Sequence, residues 1–127
     1  MESKVLVVDD SLMVRQQVKR ALVAAGFHVI EAVDGLDALD KARATPDLSF
    51  VICDINMPRM AGLDFLEAFR KEELFKELPV VMLTTEAQAD LVARSKALGA
   101  RGWIIKPFKP ELLVAAAKKL ALPPKAA

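Results

Sequence analysis

Polar side chains follow four of the five short apolar runs in this sequence, at the points where the runs end. Asp9 and Asp10 come directly after the first run, and Asp54 follows the third. Thr84 and Lys106 follow the fourth and fifth. Clustered carboxylates push one another towards protonation unless a cation compensates them. Mg²⁺ suits such a group, because it accepts one or two carboxylates and leaves positions open for phosphate oxygens.

A simpler interpretation exists for the first acid pair. Carboxylates favour the N-terminus of a helix, so Asp9 and Asp10 by themselves are also typical of a helix cap. Capping does not account for Asp54, Thr84 and Lys106 at the ends of other runs, and we therefore favour a metal site. The sequence has no Gly-x-Gly-x-x-Gly motif and no phosphate loop, which argues against direct binding of a nucleotide.

The apolar runs alternate with longer segments of helical period, which predicts repeated strand–helix units. Strands are predicted at residues 4–8, 28–33, 50–53, 79–83 and 102–105. The first helix carries an apolar stripe that ends near Gly26. Further helices are predicted at about 34–44, 62–73, 87–98 and 110–120.

These units predict a doubly wound α/β fold with a parallel sheet between two helix layers. The central strands are nearly all apolar, whereas the second run includes His28 and Glu31 and is predicted to be an edge strand. In open sheets of this kind, ligands bind beyond the carboxyl ends of the strands. The five polar residues above are expected to meet there in one crevice.

Length and composition predict one globular domain. The chain has 127 residues, of which 54% are hydrophobic, enough for a full core. It shows neither a membrane-spanning run nor a secretory leader, so we expect a soluble, cytoplasmic protein without a membrane contact. The single cysteine, Cys53, lies inside an apolar run and is expected to be a small buried residue.

Charge is distributed unevenly along the chain. Residues 1–86 hold 10 basic and 15 acidic side chains, whereas residues 87–127 hold 8 and 2. Two interpretations stay open: the lysines and arginines of the second part solvate amphipathic helices, or they form a basic face for a partner.

Four motifs make the chain resemble response regulator receiver domains over essentially its whole length. They are VVDD ending at Asp10, DINMP beginning at Asp54, LT ending at Thr84 and KPF beginning at Lys106. Single-domain chemotaxis regulators of the CheY type are the most similar group. The resemblance implies a flavodoxin-like fold of strand order 2-1-3-4-5, and a single receiver domain over residues 1–127 without an output domain.

The resemblance also implies a chemistry. Asp54 would be the phosphoacceptor, which takes a phosphoryl group from a sensor histidine kinase. Mg²⁺ would bind the carboxylates of Asp10 and Asp54 and the backbone carbonyl of Asn56, while Asp9 would act mainly through water. The protein would be a signalling phosphoacceptor with limited self-catalysis and not an enzyme.

Other side chains would respond to the phosphoryl group. Lys106 would pair with Asp54 and then with phosphoryl oxygens, and the Lys106–Pro107 bond is expected to be cis. Thr84 would move its hydroxyl towards the phosphoryl group, and Trp103 would turn inward behind it. The family more often has tyrosine or phenylalanine at this position, and packing of Trp103 on the fourth helix is an equally open interpretation.

Three further residues are predicted to tune the reaction. Asn56 and Glu86 lie two positions beyond Asp54 and Thr84 and should set how long the phosphoryl group survives. Thr85 replaces the smaller residue that is common in the family, and it should slow phosphorylation by small donors.

A downstream target is expected on the face formed by the fourth helix, the fifth strand and the fifth helix. We expect no nucleic acid partner and a monomer, with dimerisation on phosphorylation left open. The alternative functions are a phosphorelay intermediate, the receiver fragment of a larger regulator, or a scaffold that is never phosphorylated. An aspartate-based phosphohydrolase is disfavoured, because such enzymes need Asp-x-Asp and this chain has Asn56 at the third position.

Overall fold

Five parallel strands form one sheet in the order β2-β1-β3-β4-β5, which confirms the fold that the sequence predicted. The structure is a computed structural model that describes residues 3–55, 61–85 and 89–122. The strands are β1 (Lys4–Val8), β2 (His28–Ala32), β3 (Leu48–Asp54), β4 (Val80–Thr84) and β5 (Gly102–Ile105). The helices are α1 (Leu12–Ala24), α2 (Gly35–Arg43), α3 (Gly62–Arg70), α4 (Ala89–Ala97) and α5 (Pro110–Leu120).

Two apolar cores, one on each face of the sheet, hold the helices. Side chains alternate between the faces along a strand. Val5 and Val7 of β1 accordingly pack with α1 and α5. Leu6 and Val8 of the same strand pack with α2 and α3. The two cores make the three-layer sandwich, and every residue of the central strand β3 is buried between them.

The outer strands β2 and β5 are more exposed than the central ones. β2 is an edge strand, as predicted, with His28 exposed and Glu31 half-buried.

Cys53 of β3 is fully buried, also as predicted. Burial raises the pKa of its thiol well above the ordinary value, and the charges of Asp54 and Asp9 act in the same direction. None of the helices in the described residues has the length and apolar character needed to cross a lipid bilayer.

Two predicted boundaries within the described residues were wrong by two residues or more. β3 begins at Leu48, two residues before the predicted start, because Leu48 already pairs with Lys4 of β1. α3 ends at Arg70 and does not continue to about residue 73, because the chain folds back on itself there. The ring of Phe75 stacks on Phe69 at a centroid distance of 4.5 Å, and Arg70 donates a hydrogen bond to the Phe75 carbonyl.

Gly62 brings the start of α3 into contact with the end of β3. Its N–H donates to the Ile55 carbonyl at 2.9 Å. A Cβ atom at this position would lie 2.2 Å from the Asp54 carbonyl oxygen and 2.8 Å from the Ile55 Cα. Both neighbours are backbone atoms, so a side chain cannot be accommodated without moving the strand end that carries Asp54.

Gly62→Ala should therefore destabilise the fold. We expect the free energy of unfolding in urea to fall by about 1–3 kcal/mol, the usual effect of overpacking. Gly102→Ala is the matched control, since the nearest atom to its added Cβ would be 3.9 Å away. That control should change stability by no more than about 0.5 kcal/mol. Equal stability of the two variants would contradict the close approach of Gly62 to the backbone at the end of β3.

Candidate functional site

The site lies at the carboxyl edge of the sheet, where the central strands end side by side. Backbone hydrogen bonds continue the parallel ladder one residue past these ends. The Asp9 N–H donates to the Ala32 carbonyl at 3.1 Å, and the Lys106 N–H donates to the Thr84 carbonyl at 2.8 Å. The ladder thus fixes the backbone from which Asp9 and Lys106 project.

Three carboxylates converge at this edge. Asp9, Asp10 and Asp54 each place a carboxylate oxygen within 4.8 Å of the others. Asp9 is fully buried and Asp54 is 4% exposed, whereas Asp10 is exposed to solvent. Oxygen donors of this number and charge are the ligands that Mg²⁺ prefers, and the exposed Asp10 leaves the group open to an ion. The residues present therefore fit a magnesium site.

Lys106 bridges two of these acids. Its Nζ donates to Asp9 Oδ2 at 2.8 Å and to Asp54 Oδ2 at 3.2 Å. Partial burial lowers the pKa of Lys106, but the hydrogen bonds and charges of Asp9 and Asp54 outweigh burial and leave that pKa above its ordinary value. The lysine therefore stays protonated at neutral pH and compensates part of the acidic charge. The shorter contact, to Asp9, was not anticipated from the sequence.

Ser11, and not the acid pair, caps α1. The Ser11 Oγ accepts a hydrogen bond from the Val14 N–H at 3.3 Å. Asp9 Oδ1 instead accepts from the Ser11 N–H at 2.9 Å, one residue before the helix. The capping interpretation of Asp9 and Asp10 is therefore wrong, and Asp10, although exposed, keeps a carboxylate oxygen within 4.8 Å of those of Asp9 and Asp54.

Thr84 and Thr85 occupy different environments at the end of β4. Thr84 is buried, and Thr85 is exposed. Thr85 lies at the edge of a cleft of about 350 Å³ whose lining includes Lys106 and Phe108. The Lys106–Pro107 peptide bond in this cleft is cis, as the resemblance implied.

Trp103 does not lie in the crevice. It is partly buried against the core on the side of α4, and its indole N–H donates to the Ser95 Oγ. Ser95 is fully buried and donates in turn to the Val92 carbonyl at 3.0 Å. In this structure Trp103 packs on the fourth helix, which is one of the two interpretations left open by the sequence.

Two predicted site residues lie outside the described residues. Asn56, a predicted metal ligand through its carbonyl, falls between residues 55 and 61, and Glu86 falls between 85 and 89. Their effects on metal binding and on phosphoryl lifetime stay predictions.

Comparison with known proteins identifies the family. A model of the response regulator receiver domain matches residues 5–118. The chain belongs to the response regulator receiver domains. Helicobacter pylori CheY1, a chemotaxis protein, is 42% identical over 112 residues, which is 87% of this chain and 90% of the relative. The structure of Vibrio cholerae CheY4 has 42% identity and a TM-score of 0.89, and the match covers 94% of this chain and 99% of that one.

This receiver domain is thus a homologue of the chemotaxis regulators of two-component signalling, and it is a signalling protein rather than a classic enzyme. CheY-like receivers interact with kinases and downstream targets, and receiver domains bind Mg²⁺ at an acidic pocket. A Borrelia burgdorferi CheX–CheY complex with BeF₃ and Mg²⁺ is a structural neighbour with 28% identity and a TM-score of 0.85, and the match covers 92% of this chain and 87% of that one.

Mg²⁺ should stabilise the receiver domain by binding its acid cluster. At a concentration of 100 times the Kd, we expect the free energy of unfolding to rise by about 2.7 kcal/mol. Asp10→Asn should remove most of this gain, because the exposed carboxylate is the one open to the ion. Asp40→Asn, which changes an exposed carboxylate of α2, is the matched control. Urea unfolding with and without MgCl₂ measures the effect, and an equal gain from NaCl of the same ionic strength would contradict specific binding.

Proposed function

We propose that Asp54 accepts a phosphoryl group from the phosphohistidine of a sensor kinase, and that this controls binding to a downstream target. The convergence of Asp9, Asp10, Asp54 and Lys106 at one strand edge is the observation that supports the proposal most directly. Each residue offers the charge that a phosphoryl transfer site needs: carboxylates for a metal and a nucleophile, and a cation for the phosphoryl oxygens.

The proposed step is a displacement at phosphorus. A carboxylate oxygen of Asp54 forms a bond to the phosphorus, and the P–N bond to the kinase imidazole breaks with its electron pair leaving on nitrogen. The product is an acyl phosphate. Asp10, Asp54 and the Asn56 carbonyl would hold Mg²⁺, with Asp9 acting through water. The ion would supply positive charge that stabilises the phosphoryl oxygens.

Lys106 is already placed for this step. Its Nζ lies 3.2 Å from Asp54 Oδ2, so a small movement would carry one of its hydrogen bonds from the carboxylate to a phosphoryl oxygen. The second hydrogen bond, to Asp9, would keep the ammonium near the site during that movement. The raised pKa of Lys106 supports a role as a fixed positive charge and not as a proton donor.

Phosphorylation should be measured by intact mass after incubation with acetyl phosphate and MgCl₂. We expect the mass of one phosphoryl group to be gained, and this gain should disappear in Asp54→Asn or with chelator. Lys106→Met should slow it by about 100-fold, because a positioned charge on the transferring group is lost. Asp40→Asn, the control with an exposed carboxylate outside the site, should be modified like the wild type. A full gain of mass in Asp54→Asn would refute the assignment.

Signal output is proposed to pass from Thr84 to Trp103 and then to the face formed by α4, β5 and α5. β5 is an edge strand, so this face lies at one side of the sheet. Its exposed basic residues support an acidic target. Arg94 is less available than its charge suggests, because it pairs with Asp64 and Glu67 of α3 at 3.4 and 3.3 Å. The exposed side chains of Lys96 and Arg101 are the better candidates for target contacts.

The single tryptophan gives a direct test of this output path. In Ser95→Ala the indole N–H loses its hydrogen-bond acceptor on α4. The free-energy cost of turning Trp103 inward should therefore fall by about 1 kcal/mol. In the unphosphorylated variant, we expect the population with Trp103 turned inward to rise about fivefold. Part of the change in tryptophan emission that phosphorylation causes in the wild type should therefore be present in Ser95→Ala without phosphorylation. Ser49→Ala, at a buried serine of β3, is the control. Identical emission of Ser95→Ala and wild type in both states would contradict the proposed rotation.

Thr85 is proposed to limit access of small phosphodonors, since it lies exposed at the cleft beside Lys106.

A further inference from the structure

Arg15 contacts the acid cluster from α1, although it belongs to none of the motifs that mark the site. Its side chain is only 11% exposed. Nη1 donates to the backbone carbonyl of Asp9 at 2.8 Å, and Nε donates to Glu31 Oε1 at 3.3 Å. The guanidinium thus joins the loop after β1 to the edge strand β2.

The Asp9 carbonyl belongs to the peptide unit that connects Asp9 with Asp10. Because a peptide unit is planar, holding its oxygen restricts the orientation of both residues. The preceding peptide unit is held from the other side, where the Asp9 N–H donates to the Ala32 carbonyl at 3.1 Å. Arg15 therefore completes the support of the short backbone segment that carries both acids.

Glu31 keeps Arg15 in this position. Its carboxylate accepts from Arg15 and also from Lys19, the latter at 3.4 Å. It also places a negative charge beside the guanidinium, which offsets the charge that Arg15 brings near the site. Lys19 pairs with the same carboxylate, and within the described residues Glu31 is its hydrogen-bond partner.

We propose that Arg15 is a positioning residue for the magnesium site. Its hydrogen bond to the Asp9 carbonyl sets the direction of the Asp9 and Asp10 carboxylates relative to Asp54, and this arrangement strengthens Mg²⁺ binding. The inference rests on the proposed function, because it assumes that the acid cluster binds Mg²⁺.

Charge and position predict opposite effects of removing Arg15. A positive charge near a cation site repels the cation, so a purely electrostatic role means that its loss tightens Mg²⁺ binding. A positioning role means that its loss weakens binding, because the two carboxylates are then less well ordered. Groups that orient metal ligands typically change metal affinity by about 10–100-fold.

The test is a calorimetric titration of the full chain with MgCl₂ in the absence of any phosphodonor. Arg15→Lys keeps the charge but cannot reproduce the two-pronged contact to Asp9 and Glu31, so it isolates geometry from charge. We expect its Kd for Mg²⁺ to rise about tenfold, and that of Arg15→Ala to rise at least as much. Lys19→Ala is the matched control and should stay within about twofold of the wild type, since Lys19 shares only the Glu31 contact.

Urea unfolding in chelator shows whether each variant is folded, and Arg15→Lys, the milder change, decides the result if Arg15→Ala unfolds. An unchanged or lower Kd in Arg15→Lys would overturn the positioning role while leaving the magnesium site intact. A wild-type chain that does not bind Mg²⁺ would overturn both this inference and the proposed function. Equal weakening in Lys19→Ala would also overturn it, because the effect would then come from the ion pairs of Glu31 and not from the Asp9 carbonyl.

Discussion

The bridge from Lys106 to Asp9 and Asp54 is the interaction on which the site depends. Three carboxylates with oxygens within 4.8 Å of one another are unfavourable in a partly buried crevice. Lys106 compensates part of this charge from a position 97 residues away from Asp9 in the sequence. β3 and β4 lie between the strands that these two residues follow. The ion pair can form only when β1, β3, β4 and β5 are assembled side by side in this order.

This requirement explains features far from the crevice. The parallel arrangement places every strand end at one edge, and the buried central strand delivers Asp54 there with little freedom. Gly62 then lets α3 begin against the Asp54 carbonyl, where any side chain would displace the strand end. Because the acids repel one another and Lys106 compensates only part of their charge, packing of the cores on both faces of the sheet supplies the rest of the energy that holds them together.

The sequence predicted those parts that depend on local pattern. Alternation of short apolar runs and helical stripes identified all five strands, and the polar residues after those runs identified the crevice. The strand order came from the resemblance, since local pattern does not determine it. The contact of Lys106 with Asp9 and the early end of α3 at Arg70 depend on how side chains meet across the folded molecule, which periodicity does not describe. Arg15 was missed for the same reason. The one available signal was Glu31, a carboxylate on the edge strand, because such a group favours a cationic partner.

The hydrogen bond between Trp103 and Ser95 raises the free energy that phosphorylation must supply to turn the indole inward. A buried side-chain hydrogen bond contributes about 0.5–1.5 kcal/mol, and an acceptor left without its partner costs more. A phenylalanine at the same position would turn inward without breaking such a bond, whereas Trp103 must give up its contact with α4. The same bond joins β5 to α4, so rotation of the indole also changes the support of the helix. If the output passes through Trp103, the unphosphorylated state of this receiver is therefore more stable, relative to the inward state, than that of a relative with phenylalanine. The contacts of Thr84 and Lys106 with the phosphoryl group then have to supply this additional free energy.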